Sequence, residues 1–355
     1  MSNNKFKVNI DTVDFNVTGM SFHLPDSTTA TVTSANGELI KEYQNRSAIH
    51  NEQDTHSVNV RTETGNKLLV EGSPFAFLYG QNLYTSANLK KGCFRTLVRV
   101  CKHFGFKPPK DLQEMWRAGD INLTRADLAV DFKFETDYLV IEALKQIKRQ
   151  LVEMDTTMKT NRTSVSFSPR NGVKYSITFY AKGPQMRQLK RYKKSPYCKP
   201  LGTEAEGVLR IELRLMHSEL CELGLDKVSA WKLNTPNEIF SKYFNKLNFL
   251  NVTCGELTID ELANIDSKLR PVFAMHKSGV NLSQVYKKRT LQRYQSKFRA
   301  KGIDIKCPNR PKEPSVISLP EMLSHDKAIK STPKWMRKAK LVPAVKRKAV
   351  RSTKK

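Results

Sequence analysis

The sequence predicts an α+β fold, a mainly antiparallel β-sheet flanked by helices and followed by a helical region and a basic tail. Three segments, 121–135, 173–182 and 208–216, alternate apolar and polar residues with the period of two that is typical of a strand with one polar face. An Asn-Gly turn within 169–172 predicts a hairpin between the segment 162–168 and the segment 173–182. Strands interleaved with helices and joined by a hairpin favour the α+β class.

Five segments that precede the first of these strands follow in chain order. Residues 6–17 are predicted to form the opening strand, and 18–66 are polar and stay unassigned. Residues 67–84 contain an apolar strand interrupted by a glycine and a proline. Residues 88–104 have the apolar stripe of an amphipathic helix with a basic stripe beside it, and 111–117 form a short helix.

Helical spacing of apolar residues predicts a long helix over 136–153, and 162–168 form the first strand of the hairpin. From about 217 to 302 the pattern is helical. Within 269–305 two helical stretches precede a strongly basic one, which is typical of a helix-turn-helix whose last helix enters a DNA groove. An ordinary basic helix packed on the core has the same pattern.

These patterns divide the chain into three predicted regions: an α+β domain over 1–224, a helical region over 225–305 and a basic tail over 306–355. The tail begins rich in proline, and from Lys327 onward it has twelve lysines and arginines and no acidic residue. Such a segment buries too little apolar surface to fold alone, so we expect it to be disordered and to add nonspecific affinity for phosphates.

The charge balance indicates a polyanionic partner. The chain has 61 lysines and arginines against 34 acidic residues, a formal net charge of +27. Cations that neutralise nucleic-acid phosphates release condensed counterions, which favours binding. A basic protein without such a partner is the alternative, and a membrane surface is less favoured because no long basic amphipathic helix stands out.

Several classes of protein are disfavoured by what the sequence lacks. No apolar run approaches the roughly 20 residues of a membrane span, and the first residues do not resemble a signal peptide, so a cytosolic location is expected. The six cysteines form no C-x-x-C pair, which argues against a zinc site or a disulfide framework. No P-loop, nucleophile elbow or H-E-x-x-H motif is present.

The polar faces of the three alternating segments carry residue types suited to phosphoryl transfer. Tyr180 and Lys182 lie on the second segment, Asp127 on the first and Glu212 on the third. A tyrosine oxygen can attack a DNA phosphate, a lysine favours the phenolate, and carboxylates supply the hard oxygen ligands that Mg²⁺ or Mn²⁺ prefers. The structural alternatives are a half-buried packing tyrosine and cross-strand pairs of acids with arginines.

Four segments, SPFAFLYGQNLY, LTRADLAVDF, ITFYAKGPQM and GVLRIELRL, carry motifs that resemble those of the gene II replication initiators of filamentous bacteriophages, which are rolling-circle endonucleases. The resemblance runs from about Gly72 to Leu225, with a looser match near 270–305. It implies a rolling-circle initiator-like nuclease core. It also places the family's covalent tyrosine on Tyr180 and its lysine on Lys182.

The resemblance implies a site-specific endonuclease that binds the origin of the double-stranded replicative form and nicks one strand. A covalent 5′-phosphotyrosine would hold the cut end until the displaced single strand is circularised. The implied cofactor is Mg²⁺ or Mn²⁺, with Asp127 and Glu212 as its carboxylates. The implied partners in the host cytoplasm are origin DNA, single-stranded phage DNA and the host replication helicase and polymerase, and assembly into an oligomer on DNA stays open.

Seven cations are predicted to contact DNA: Arg125, Arg210 and Arg214 on the strands, and Lys288, Arg289, Arg293 and Lys297 in the last basic helix. Two departures from related initiators concern the metal. None of the seven histidines forms a His-hydrophobe-His motif, and Gln81 stands where some relatives have histidine.

Three alternatives remain beside this hypothesis. A plasmid-type initiator would use the same chemistry. A non-enzymatic DNA-binding regulator would use the basic helix and form no covalent adduct, and an RNA-binding protein would bind RNA as well as DNA. Replacing Tyr180 by phenylalanine separates an enzyme from a regulator, because only an enzyme has nicking to lose.

Overall fold

A computed structural model describes most of the chain. The described residues are 6–25, 28–44, 46–151, 156–169, 173–247, 265–277, 280, 282–299, 305, 321 and 323–344. Within them, no helix has both the length and the apolar character that crossing a bilayer requires.

In the described part of the chain, eleven strands form one sheet. They are β1 Asn9–Val17, β2 Thr29–Thr33, β3 Leu39–Gln44, β4 Ser47–His50, β5 Ser57–Glu63, β6 Lys67–Gly72, β7 Asn122–Lys133, β8 Thr156–Thr160, β9 Ser164–Pro169, β10 Tyr175–Ala181 and β11 Val208–Met216. Their order across the sheet is β2-β3-β5-β6-β1-β7-β11-β10-β9-β8, and β4 pairs with β5.

Thirteen α-helices occur among the described residues. They are α1 Pro74–Tyr79, α2 Leu89–Phe104, α3 Lys110–Ala118, α4 Asp137–Leu151, α5 Lys182–Gln188, α6 Lys190–Lys193, α7 Cys198–Ala205, α8 His217–Glu222, α9 Thr235–Asn245, α10 Arg270–Lys277, α11 Leu282–Val285, α12 Lys288–Arg299 and α13 Lys334–Lys338.

The predicted α+β class is confirmed, and all the strand pairs are antiparallel. The three alternating segments become the neighbouring strands β7, β11 and β10 at the centre of the sheet. Their apolar sides are buried in one large core with α2, α4 and β1. Because alternate side chains point to opposite faces, their polar residues share the other face.

The strand β11 is preceded by a residue that must be glycine. Gly207 has a φ of +64°, and a Cβ there would lie 2.3 Å from the carbonyl oxygen of Phe134. The Gly207 N–H donates to Asp137 Oδ1 at 2.8 Å, and its carbonyl accepts from the Phe134 N–H at 2.7 Å. This close approach ties the start of β11 to the end of β7 and sets the register of the pair.

Two parts of the first 87 residues differ from the sequence-based expectation. The unassigned stretch 18–66 contains four strands, β2 to β5. The residues of β2 are mostly exposed, so its sequence shows little alternation of apolar and polar residues. The predicted strand within 67–84 ends at Gly72, and Pro74 begins α1. Proline fits the first turn of a helix because its missing N–H would have no partner there.

The predicted disordered tail needs a correction. Residues 323–344, here called the C-terminal clasp, pack on the sheet domain. Ala328 forms a β-bridge with Phe132, and the Ile329 N–H donates to the Asp131 carbonyl at 2.8 Å. A few apolar residues anchor the clasp because they pack among apolar residues of the sheet domain: Met336 is fully buried and Leu341 is 2% exposed. The rest of the predicted tail, apart from residue 321, lies outside the described residues.

A second apolar cluster receives the clasp. Its buried members are Leu83, Tyr84, Met186, Tyr192, Leu201, Ala205, Met336 and Leu341. A third cluster joins α10, α11 and α12, where Phe298 is fully buried against Phe273. The helical stretches predicted within 269–305 are therefore present, and the division into domains at 224 and 305 remains a prediction.

Candidate active site

A row of polar residues crosses the three central strands on the polar face. Tyr180 of β10 pairs in register with Arg210 of β11, and Arg210 pairs with Asp131 of β7. Glu212 lies two residues beyond Arg210, on the same face. The register of the sheet therefore brings the predicted tyrosine and one of the two predicted carboxylates together.

The Tyr180 hydroxyl has two polar contacts. It donates a hydrogen bond to Glu212 Oε1, and Lys182 Nζ lies 3.3 Å from it as a donor. Lys182 Nζ also donates to Gln185 Oε1 at 3.0 Å. Tyr180 is 6% exposed and Lys182 is 1% exposed. The phenol oxygen therefore lies between a carboxylate that can take its proton and an ammonium group that can stabilise its negative charge.

Lys182 is not on the strand, contrary to the expectation from alternation. The strand β10 ends at Ala181, and Lys182 is the first residue of α5. The turn from strand into helix directs the side chain back towards Tyr180. The hydrogen bond to Gln185 of the same helix holds the ammonium group of Lys182 beside the phenol oxygen.

Arg210 is held rigidly beside the tyrosine. Its Nε and Nη2 donate to the two oxygens of Asp131 at 2.6 and 2.7 Å, and Nη2 also lies 3.3 Å from the carbonyl oxygen of Leu83. Its Nη1 lies 3.6 Å from Asp11 Oδ1 and makes no hydrogen bond. A bidentate carboxylate pair of this kind fixes the plane of a guanidinium group.

Asp11 is a residue of this site that sequence reasoning missed. It lies in β1 at a break in register between Ile10 and Val13, where a bulge re-aims the side chains. Its Oδ1 is 3.4 Å from the Asn82 amide nitrogen. The sequence signal that could have pointed to Asp11 is the motif IDTVDF in the opening strand. In the sheet, only β7 lies between that strand and β11, the strand of Glu212.

The protonation of the three central groups follows from burial. Burial and the Glu212 carboxylate raise the pKa of the Tyr180 phenol well above its ordinary value. Burial and then Asp11 raise the pKa of Glu212, whereas burial and then Arg210 lower the pKa of Lys182. The resting tyrosine is therefore a neutral phenol. The pKa of Glu212 and the pKa of Lys182 are both shifted towards neutral pH, so these two groups gain or lose a proton closer to neutrality than exposed glutamates and lysines do.

Asp127 belongs to a separate cluster. Arg125 donates through Nε to Asp127 Oδ1 at 2.9 Å and through Nη2 to Oδ2, and Arg214 Nε is 3.3 Å from Oδ2. Burial raises the pKa of the Asp127 carboxyl, and the hydrogen bond from Arg125 opposes that rise. Both oxygens of Asp127 are engaged by guanidinium groups, so the structure does not present them to a metal.

Glu212 and Asp11 are the carboxylates of this site that could hold a divalent cation. The Asp11 charge is close enough to raise the pKa of Glu212, and a cation between two such carboxylates relieves their repulsion. No group of three or more acidic, histidine or cysteine side chains suited to a metal occurs in the described ranges. Oxygens from DNA or water would have to complete the coordination of such an ion.

Gln81 has a structural role in this conformation. Its Oε1 accepts from the backbone N–H groups of Leu83 and Tyr84, and its Nε2 donates to the carbonyl oxygens of Tyr84 and Leu341 at 2.9 and 2.7 Å. All four bonds are to backbone groups. The side chain thus fixes the loop that meets Arg210 and ties it to the C-terminal clasp.

The four predicted DNA-binding residues of the basic helix are placed on α12. Lys288, Arg289, Arg293 and Lys297 are all exposed there, while Phe298 of the same helix is buried. The helix therefore has one apolar side in the third cluster and one cationic side towards solvent.

The family model for the N-terminal part of the phage replication-associated protein, the gene II protein, matches residues 10–234, more than half of the chain, and the chain belongs to this family. The replication-associated protein of the same name from Enterobacteria phage I2-2 is a relative, 23% identical over 260 residues that cover 71% of this chain and 75% of the relative. The family match includes Asp11, Tyr180, Lys182 and Glu212 and ends before the clasp.

Proposed function

We propose that this protein initiates rolling-circle replication of a phage genome. It binds the origin of the double-stranded replicative form and nicks one strand through a covalent bond to Tyr180. After a round of synthesis it rejoins and circularises the displaced strand. The contact of the Tyr180 hydroxyl with both Glu212 and Lys182 supports this proposal most directly.

The nicking step is a transesterification. Glu212 accepts the phenolic proton while the Tyr180 oxygen attacks a backbone phosphorus and forms a P–O bond. The bond from phosphorus to the 3′ oxygen breaks, and that oxygen leaves with the bonding electrons and takes up a proton from water. The products are a 5′-phosphotyrosine and a free 3′-hydroxyl. The same steps in reverse join a 3′-hydroxyl to the held 5′ end without ATP.

Lys182 and Arg210 supply the positive charge that this step needs. Burial lowers the pKa of Lys182, and an incoming phosphate would favour its charged form. Arg210 is already oriented by Asp131, so it does not have to reorganise when charge develops on the phosphate. Preorganised cations in a site sheltered from water stabilise charge more than exposed ones do.

Mg²⁺ or Mn²⁺ is the proposed cofactor. Glu212 and Asp11 would hold it, in place of the predicted pair of Asp127 and Glu212. When bound, the ion would polarise the scissile phosphate and draw charge from its oxygens. Arg125 and Arg214 would then favour the charged form of Asp127 and contact flanking phosphates with their outward donors, and Arg214 is 45% exposed at its side chain.

Recognition of the duplex origin is assigned to the exposed cations of α12, namely Lys288, Arg289, Arg293 and Lys297. In the host cytoplasm, the released 3′-hydroxyl would serve as primer for the host polymerase, with a host helicase separating the strands. Such exposed cations give binding that weakens steeply with salt.

The experiment that tests the proposal is adduct formation on an origin oligonucleotide with Mg²⁺, followed by peptide mapping. Tyr180→Phe is expected to abolish nicking and the adduct and to leave origin affinity within about threefold, because only the hydroxyl is removed. The matched control is Tyr175→Phe on the same strand, which packs against Tyr243 and should stay active. Nicking by Tyr180→Phe would refute the assignment, and a wild-type protein that forms no adduct would favour a DNA-binding regulator.

A further inference from the structure

Two basic segments meet at the second apolar cluster. The first is 182–199, which runs through α5 and α6, and the second is the C-terminal clasp. Neither 182–199 nor 327–344 contains an acidic residue. Buried residues of both lie in the cluster, so their backbones are fixed against each other. Their exposed cations are Arg187, Lys190, Lys193, Lys194, Lys199, Lys327, Lys330, Lys334, Arg337, Lys338 and Lys340.

The two segments are attached directly to the candidate active site. Lys182, which contacts the Tyr180 hydroxyl, begins α5, and Met186 of that helix lies in the second cluster. Leu83, another member of the cluster, accepts a hydrogen bond from Arg210 through its carbonyl oxygen. The second cluster is therefore joined to the residues around Tyr180 through α5 and through Leu83.

An aromatic pair lies between the two basic segments. The rings of Tyr197 and Trp335 are 6.2 Å apart with a tilt of 33°, and both residues are half-buried. The Trp335 indole N–H donates to Glu204 Oε1 at 3.1 Å, which fixes the orientation of the ring. A fixed aromatic face among cations is the arrangement on which unpaired bases stack.

We propose that the C-terminal clasp and residues 187–199 form a binding surface for single-stranded DNA beside Tyr180. The cations contact the phosphates, and Trp335 with Tyr197 stacks against bases. The proposal rests on the proposed function, because it assigns this surface to the strand that nicking releases. Duplex DNA is not the intended ligand, since its bases are paired and stacked and cannot use the aromatic faces.

The test measures binding of a fluorescent oligothymidylate and of a matched duplex by anisotropy, at several salt concentrations, in the Tyr180→Phe background. One variant, here called the platform variant, removes three positive charges of the clasp through Lys334→Gln, Arg337→Gln and Lys338→Gln. The control carries Lys107→Gln, Lys110→Gln and Lys232→Gln, three exposed lysines outside the second cluster with the same change in charge.

We expect the platform variant to bind oligothymidylate at least tenfold more weakly at about 0.1 M salt. Its plot of log affinity against log salt should be shallower by about 2, because each phosphate contact on a single strand contributes about 0.7. The control should stay within about twofold of the parent. Trp335→Leu should weaken binding about fivefold or more, whereas Trp335→Phe keeps an aromatic face and most of the affinity.

The result that overturns the proposal is equal affinity and equal salt slope for the platform and control variants. An equal loss for duplex and single strand would also overturn it, since the surface would then be a duplex site. Thermal unfolding of each variant checks that the clasp stays folded. Binding is measured without the nicking reaction, so the two proposals can fail separately. If the wild-type protein forms no adduct but the platform variant binds oligothymidylate more weakly than the control does, only the proposed function is refuted.

Discussion

Glu212 and Asp127 were both predicted to bind the metal, but their surroundings differ sharply. Replacing each by its amide should therefore have different effects on adduct formation and on stability. Glu212 accepts the hydrogen bond of the Tyr180 hydroxyl, whereas both oxygens of Asp127 face arginines. Glu212→Gln removes the proton acceptor and one charge at the site. Positioned general bases contribute about 10²- to 10⁴-fold to rates, so we expect adduct formation to slow by that factor.

Asp127→Asn should act on stability instead. Removing one partner of a buried ion pair costs about 3–5 kcal/mol when the remaining charge is fully buried. Here the remaining charges are Arg125 and Arg214, with side chains 16% and 45% exposed, so water can solvate them in part. We therefore expect a loss of about 2 kcal/mol, with the adduct rate of the folded protein within about threefold of wild type.

The assays are single-turnover adduct formation on an origin oligonucleotide and urea unfolding of the same preparations. Glu212→Gln should unfold at a urea concentration close to that of wild type or higher, because it relieves the repulsion from Asp11. The reasoning is refuted if Asp127→Asn loses as much rate as Glu212→Gln while remaining folded. That outcome would return Asp127 to the metal site.

Three further predictions concern the proton, the charge and the clasp. Burial and then Asp11 raise the pKa of Glu212 above its ordinary value of 4.5, so in a pH–rate profile adduct formation should fall as the pH is lowered through that raised pKa; a rate that stays constant there contradicts the role of Glu212 as proton acceptor. Lys182→Met should slow adduct formation about 100-fold, with Lys174→Met as an exposed control, and a near-normal rate would show that the ammonium group is dispensable. Met336→Ala leaves a cavity at a fully buried position, which should cost about 2–5 kcal/mol of local stability. Trypsin should therefore cut within the clasp faster than it does in the wild-type protein. An unchanged cleavage rate would show that Met336 does not anchor the clasp.

The centre of the fold was predictable because its signal is local. The segment at 208–216 alternates without a break, and it forms β11 with those bounds. Alternation also separates Tyr180 from the apolar side of its strand. The contacts of Tyr180 with Glu212 then follow from an antiparallel register that the alternation restricts to few choices.

The remainder of the site depends on non-local features. Asp11 reaches it through a bulge in a strand far from Tyr180 in the sequence, and no periodicity marks a bulge. The commitment of Asp127 to two arginines depends on side-chain geometry across β7 and β11. The clasp was missed because Met336 and Leu341 are few and widely spaced, and the pocket that receives them is formed by other parts of the chain.

The hydrogen bond from Gln81 to the Leu341 carbonyl has a consequence for the order of assembly. The clasp follows every other described element along the chain, so during synthesis it is the last of them to reach its place. Until then Gln81 lacks one backbone acceptor and the loop that meets Arg210 is less constrained. A partly synthesised chain thus has Tyr180 and Glu212 in place before this loop is fully braced, and the loop gains its last backbone partner only when the clasp docks.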